Sequence, residues 1–130
     1  MYEITVEKHF DAAHYLRGYK GKCENVHGHR YAIRVKISAA KLNAIGLAYD
    51  FTDLKRYLKE IIDRYDHTCL NDLPEFKKIN PSAENIAATI YKELKKKLAK
   101  EPFDAAQGER IKLTAVEAWE TPEQGVGYRP

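Results

Sequence analysis

The strongest constraint on the fold is a strict alternation of apolar and polar side chains over residues 29–39. The odd-numbered apolar positions are Tyr31, Ile33, Val35 and Ile37, and the even-numbered basic positions are Arg30, Arg34 and Lys36. Successive side chains of a β-strand point to opposite faces, so this pattern predicts a strand with one apolar and one basic face. The chain must therefore build a sheet that buries only one side of this strand in a core.

Three further strands are predicted around it. Residues 2–14 alternate in the same way, and the segment 17–22, which contains two glycines, separates them from the strand at 29–39. Residues 110–120 predict another strand, and a turn at 122–125 leads to a short final strand at 126–128.

Two helices are predicted between the strand pairs. After Thr52, a predicted N-cap, apolar residues recur every three or four positions as far as Tyr65. Ser82 predicts the N-cap of a second helix, and Pro102 and Gly108 mark the exit from it. The order ββααββ predicts a single α+β domain over residues 1–130, an antiparallel sheet with two helices on one face. Because such a sheet leaves one face and two edges uncovered, we expect self-association.

Composition excludes several classes of function. Charged residues make up 32% of the 130 residues, but the net charge is only +3 and the two signs are interspersed, so we expect no nucleic-acid partner. No apolar stretch is long enough to span a membrane, and no signal segment is evident, so we expect a cytoplasmic protein with no membrane partner. Two cysteines, Cys23 and Cys69, are too few for a disulfide-stapled domain.

The segment from Cys23 to His29 carries the sharpest chemical signal. His27 and His29 lie two apart in an extended segment, so their imidazoles share a face, and a hairpin would bring His14 from the neighbouring strand beside them. Three neutral imidazoles with an open position form the ligand set of a catalytic Zn²⁺ site. The plainer interpretation is a pair of ordinary strand histidines beside a turn.

Several other residues fit more than one role. Cys23 fits a fourth zinc ligand, a buried thiol or a catalytic acid/base. Asp66 and His67 fit either a helix end or a catalytic pair. A buried Glu120 would suit a guanidine-like ligand edge, with Glu117 as its competitor, and Ser82 fits a helix cap first and a ligand contact second.

Together these motifs resemble the 6-pyruvoyl-tetrahydropterin synthase and 6-carboxytetrahydropterin synthase family over nearly the whole chain. The segments that carry the resemblance are Phe10-Asp-Ala-Ala-His14, Cys23-X-X-X-His27-Gly-His29, Gly46 to Lys55, Asp66-His67, Leu70-Asn71, Pro81 to Asn85 and Trp119-Glu120-Thr121.

The resemblance implies a tunnelling fold, in which three subunits join their sheets into a barrel and two trimers stack into a hexamer with active sites between subunits. It implies zinc on His14, His27 and His29, Cys23 as general base, and proton transfer by Asp66 and His67. It further implies a pterin ring anchored by Glu120, in a pocket lined by Ser82 and Glu84.

The implied reaction converts 7,8-dihydroneopterin triphosphate to 6-carboxytetrahydropterin, a queuosine precursor, with loss of triphosphate and acetaldehyde. The three residues between Cys23 and His27 favour this carboxy branch over 6-pyruvoyl-tetrahydropterin synthase activity. Glu24 resembles the glutamate of family members that form 6-hydroxymethyl-dihydropterin for folate, so a bifunctional enzyme stays open, as does a solvated loop glutamate. The alternatives from other classes are a non-catalytic zinc- or pterin-binding protein closed by Cys23 and a nucleic-acid binder that uses the basic strand face.

Overall fold

Two strands of thirteen residues each, β1 and β2, form the centre of the sheet in a computed structural model that describes residues 1–100 and 111–130. In chain order the strands and helices are β1 (Tyr2–His14), β2 (His27–Ala39), α1 (Phe51–Ile62), β3 (Thr68–Cys69), α2 (Ala83–Ala99), β4 (Lys112–Thr121) and β5 (Gln124–Tyr128). Short 3₁₀ turns occupy Lys22–Glu24, Leu70–Asp72 and Pro74–Phe76.

The five strands are ordered β3-β1-β2-β4-β5. Every pairing is antiparallel except that of β3, which runs parallel to the end of β1. The predicted α+β class and the four predicted strands are confirmed, but the predicted ββααββ order lacks β3. A strand of two residues contains no period that a sequence can reveal, and only its contact with β1 defines it.

Both helices pack on one face of this sheet and bury the apolar side of β2. Tyr31, Ile33, Val35 and Ile37 are fully buried there, as the alternation predicts. Other large buried side chains come from all layers: Phe10, Leu54, Leu58, Ile61, Tyr65, Leu70, Phe76, Ile86 and Ile90. At about 25 cal/mol per Å² of apolar surface, this burial is the dominant stabilising term.

The helix N-termini are capped by side-chain oxygens, one of them not the predicted residue. Asp50, rather than Thr52, is the N-cap of α1, and its carboxylate accepts a hydrogen bond from the Thr52 amide at 2.8 Å. Thr52 already has helical backbone. Ser82 is the N-cap of α2, as predicted, and accepts from the Asn85 amide at 3.2 Å.

The opposite face of the sheet carries ion pairs instead of a core. Arg34 pairs with Glu7, and the buried carboxylate of Glu117 receives Lys36 at 3.2 Å and Arg129 at 3.3 Å. The basic positions of β2 are thus partly neutralised within the chain. Predictions about Pro102, Gly108 and residue 110, the start of the strand predicted at 110–120, lie outside the described residues. Of the helices described, none is long and apolar enough to cross a membrane.

Candidate metal centre

Three histidines meet on the helix-covered face, at the end of the β1–β2 ladder. His14 pairs directly with His27 across the two strands, and His29 lies two residues further along β2 on the same face. The ring centroid of His14 is 4.6 Å from that of His27 and 5.3 Å from that of His29. The strand register therefore brings together the three imidazoles that the sequence singled out.

Backbone carbonyls fix the orientation of two of these rings. Nδ1 of His14 donates to the Pro81 carbonyl at 2.7 Å, and Nδ1 of His27 donates to the Asn25 carbonyl at 2.7 Å. A carbonyl only accepts, so Nδ1 carries the hydrogen in both rings and each neutral ring has its lone pair on Nε2. These two Nε2 atoms face each other at 3.0 Å, where two lone pairs repel unless a proton or a metal cation lies between them.

Glu120 from β4 completes the cluster. Its Oε2 lies 2.9 Å from Nε2 of His29 and 3.6 Å from Nε2 of His14. Despite this contact, Nε2 of His29 is buried and makes no hydrogen bond with any described residue. Ligand atoms of the three histidines and Glu120 all lie within 4.8 Å of one another.

The chemistry of this set fits a divalent metal ion such as zinc. Burial lowers the pKa of His14, although the Pro81 hydrogen bond opposes that shift, and burial likewise lowers the pKa of His29 against the charge of Glu120. Both rings are therefore held neutral, the form that binds a metal. Three imidazole nitrogens are a ligand set that zinc accepts in tetrahedral sites, and the Glu120 carboxylate lies beside the fourth position.

A polar network holds the Pro81 carbonyl against His14. Asn71 binds both backbone groups of Tyr15, accepting from its amide at 3.0 Å and donating to its carbonyl at 2.9 Å. Asn80 does the same for Arg17, at 2.9 and 3.0 Å. The Arg17 guanidinium also donates to the Phe76 carbonyl at 2.9 Å. Sequence reasoning missed this network, because its partners are more than fifty residues apart.

Tyr31 lies directly beneath the cluster. Its ring centroid is 5.7 Å from that of His14 and 5.6 Å from that of His29. Burial, and next the negative charge of Glu120, raises the pKa of Tyr31, so the phenol stays protonated. The sequence pattern identified Tyr31 only as a core residue.

Asp66 and His67 form a second group with Asp11, separate from the histidine cluster. Asp66 accepts from the Asp11 amide at 2.9 Å and lies 2.9 Å from Nδ1 of His67. The Asp11 hydrogen bond, and next that from His67, lowers the pKa of Asp66. His67 has left-handed backbone, with φ 57°, and its side chain is 80% exposed. An open cleft of about 500 Å³ is lined by residues of both groups, His29, Asp11 and His67 among them.

The remaining candidates lie around these two groups. Cys23 is half-buried in the 3₁₀ turn Lys22–Glu24, and its thiol belongs to neither group of ligand atoms in the part of the chain described. Glu24 is exposed in the same turn. Glu84 is exposed in the first turn of α2, directly after the Ser82 cap. Glu117, the competitor of Glu120, is on the opposite face of the sheet.

Fold and site together define a two-layer α+β protein with a three-histidine, one-carboxylate cluster suited to a divalent metal. Comparison with known proteins narrows this class. The family model described as 6-pyruvoyl tetrahydropterin synthase matches residues 3–130. The chain belongs to this family.

Similar proteins agree with that membership. A putative 6-carboxy-5,6,7,8-tetrahydropterin synthase of Archaeoglobus fulgidus is 42% identical over 94 residues, 72% of this chain and 76% of the relative. The 6-carboxy-5,6,7,8-tetrahydropterin synthase of Haemophilus influenzae is 30% identical over 99% of each chain. The structure of Caenorhabditis elegans 6-pyruvoyl tetrahydropterin synthase superposes with a TM-score of 0.78 at 29% identity, covering 100% of this chain and 97% of that one.

Proposed function

We propose that the protein is a zinc-dependent lyase that converts 7,8-dihydroneopterin triphosphate to 6-carboxy-5,6,7,8-tetrahydropterin, with loss of triphosphate and acetaldehyde. The observation that carries the proposal is the cluster of three oriented imidazoles in a chain of this family. Membership itself makes the protein a pterin lyase. The carboxy product is supported by the names of two bacterial relatives, each of which matches 99% of this chain.

In this proposal His14, His27 and His29 hold the metal through Nε2. Bound there, zinc would act as a Lewis acid that polarises the oxygens of the substrate side chain. The carbonyls of Pro81 and Asn25 keep the Nε2 lone pairs directed inward, and outer hydrogen bonds of this kind orient metal ligands in general.

The pterin ring is proposed to bind through Glu120, whose carboxylate can accept two parallel hydrogen bonds from a guanidine-like edge. Its position beside the histidines supports a substrate with its ring against Glu120 and its side chain against the metal. Ser82 and Glu84, at the start of α2, are proposed to line the same pocket. Ser82 follows the residue whose carbonyl holds His14, so the pocket and the ligand share one short segment.

Cys23 is proposed as the general base, with Asp66 and His67 completing proton transfer. These residues are not in contact within one chain, but the His67 side chain is 80% exposed and that of Asp66 41% exposed. We propose that the site is completed by a second copy, so that Asp66 and His67 of one subunit serve the Cys23 side of another. A trimer, or a hexamer of two stacked trimers, would supply that arrangement.

Two alternative activities stay within the family. The first is 6-pyruvoyl tetrahydropterin formation, the activity named in the Caenorhabditis elegans relative. The second is cleavage to 6-hydroxymethyl-dihydropterin through Glu24, which is exposed beside Cys23 on the same turn. A non-catalytic zinc protein with Cys23 as fourth ligand is less well supported, because Glu120 rather than Cys23 lies within ligand distance of the histidines.

Product identification tests the proposal. The zinc-loaded protein is incubated with 7,8-dihydroneopterin triphosphate and, separately, with dihydroneopterin, and the pterins and acetaldehyde are quantified. We expect 6-carboxytetrahydropterin with equimolar acetaldehyde from the first substrate. A pyruvoyl- or hydroxymethyl-pterin product would instead favour one of the alternatives. Absence of turnover would contradict the proposed lyase activity.

The two cysteines offer a matched pair of variants. Cys23→Ala should retain zinc and lose at least a hundredfold in turnover, since a general base contributes about 10²–10⁴ in rate. Cys69→Ala removes the other half-buried thiol, from β3, and should retain both zinc and turnover. Equal turnover by Cys23→Ala and the wild type would refute the assigned base.

A further inference from the structure

The hydroxyl of Tyr31 is a buried hydrogen-bond donor without a partner. The side chain is 0% exposed, and its oxygen makes no hydrogen bond with any described residue. Buried polar groups are nearly always paired, because leaving one unpaired costs the free energy of removing it from water. Tyr65, an equally buried tyrosine in the same core, follows the rule and donates to Glu75 at 3.3 Å.

The unpaired hydroxyl belongs to a residue that adjoins the metal cluster. Phe10 stacks on the Tyr31 ring with centroids 4.9 Å apart, and His14 and His29 meet the ring edge-on. The β2–β4 ladder ends with Ala32 opposite Trp119, and Tyr31 and Glu120 are the next residues of the two strands. Tyr31 and Glu120 both adjoin the imidazoles of His14 and His29, so they are neighbours at the cluster.

Glu120 can supply the hydrogen-bond acceptor that the Tyr31 hydroxyl lacks. Its Oε2 contacts the Nε2 atoms of His29 and His14, whereas its Oε1 makes no hydrogen bond with a described residue. An ionised carboxylate offers about four lone-pair positions. A metal bound to the three Nε2 lone pairs would end the direct contact of Glu120 with the imidazoles and free its carboxylate to turn.

We propose that Tyr31 is a positioning residue for the metal-loaded site, where its hydroxyl donates a hydrogen bond to the Glu120 carboxylate. The proposal rests on the proposed zinc site and adds a residue to it. The hydroxyl is unpaired without metal and paired with metal, so it destabilises the first state and stabilises the second. Metal affinity gains from both effects.

Tyr31→Phe removes only this hydroxyl and keeps the ring that packs on Phe10. Without metal, the variant should unfold at the same temperature as the wild type or at a higher one, because it no longer buries an unpaired group. Its zinc dissociation constant should rise about tenfold, the lower end of the range for outer hydrogen-bond partners of a metal site. A residue that served packing alone would shift neither quantity in this pattern.

The experiment measures thermal unfolding in excess chelator and zinc affinity by competition with a chromophoric chelator. Tyr65→Phe is the matched control: it removes a paired hydroxyl away from the metal, so it should lower the unfolding temperature and leave zinc affinity unchanged. In a Glu120→Ala background, Tyr31→Phe should change zinc affinity less than twofold, since the acceptor is gone.

Three results would overturn the proposal: zinc affinity of Tyr31→Phe within twofold of the wild type, a loss of chelated stability equal to that of Tyr65→Phe, or an undiminished effect in the Glu120→Ala background. None of these measurements uses a pterin. Absence of pterin turnover by the zinc-loaded wild type would refute the proposed function separately, without bearing on Tyr31.

Discussion

Truncating Asn71 should destabilise the protein strongly, because this buried amide binds the backbone that follows His14. The side chain is 1% exposed and makes two hydrogen bonds, one to the amide and one to the carbonyl of Tyr15. Asn71→Ala leaves both Tyr15 groups without partners in a half-buried position. A buried group left unpaired costs about 1–3 kcal/mol, so we expect a loss of about 2–4 kcal/mol.

That loss is a large share of the roughly 5–15 kcal/mol by which a domain is usually stable. For a domain of this size it corresponds to a fall in melting temperature of about 10 °C. Urea unfolding of the chelated protein, followed by circular dichroism, gives the free energy directly. The slope of the transition should stay unchanged, since the same surface is exposed on unfolding.

Asn80→Ala is the matched control, because the half-buried Asn80 makes the same pair of bonds to the amide and carbonyl of an exposed residue, Arg17. Water can replace those bonds, so we expect a loss below about 1 kcal/mol. The reasoning that burial sets the cost would be refuted if Asn80→Ala destabilised the protein as much as Asn71→Ala.

Three smaller perturbations test other parts of the structure. Asp50→Ala should cost about 1 kcal/mol in chemical unfolding by removing the cap on the Thr52 amide, and a loss below 0.2 kcal/mol, roughly, would restore Thr52 as the cap. Gly125→Ala should destabilise by about 1–3 kcal/mol, because a Cβ would lie 2.3 Å from the Trp119 ring; an unchanged midpoint would contradict that packing. Burial alone would raise the pKa of Glu117, but the hydrogen bond from Trp119 and the neighbouring cations lower this pKa overall. The ionised Glu117 therefore stabilises the fold above the ordinary glutamate pKa of about 4.3, and this stabilisation is lost as the pH falls below that value. The Glu117→Gln protein should therefore lose less stability than the wild type between neutral and acidic pH, and parallel pH profiles would contradict the assignment.

The sequence predicted the layers of the fold because periodicity reports which face of an element is buried. The alternation in β2 identified the face formed by Tyr31 to Ile37, and all four of its odd-numbered apolar residues are buried. The same argument predicted neighbouring imidazoles, since residues two apart share a face and a hairpin pairs His14 with His27.

What the sequence could not predict depends on contacts between distant segments. Asp50 and Thr52 lie two positions apart, and both residue types cap helices well. Only the backbone angles show that Asp50 is the cap and that Thr52 is already helical. The carbonyl of Pro81 reaches His14 across 67 positions of sequence, and no local pattern indicates it. The resemblance identified Glu120 as a ring anchor, whereas its contact with His29 required the β2–β4 register.

The roles assigned to Cys23, Asp66 and His67 stay predictions. In one chain the Cys23 thiol belongs to neither ligand group, and the Asp66–His67 pair is exposed and separate from the histidine cluster. Size-exclusion chromatography with light scattering should find a trimer or hexamer if a second copy completes the site. A strictly monomeric protein with full turnover would contradict the shared site.

Zinc reconstitution tests whether turnover requires a metal held by the three histidines. The protein is stripped with chelator, then titrated with zinc while turnover of 7,8-dihydroneopterin triphosphate and bound metal are measured together. We predict negligible turnover without metal, a linear rise that ends at one zinc per chain, and no rise for His27→Ala. Full turnover by the stripped protein, or undiminished zinc-dependent turnover by His27→Ala, would contradict the account.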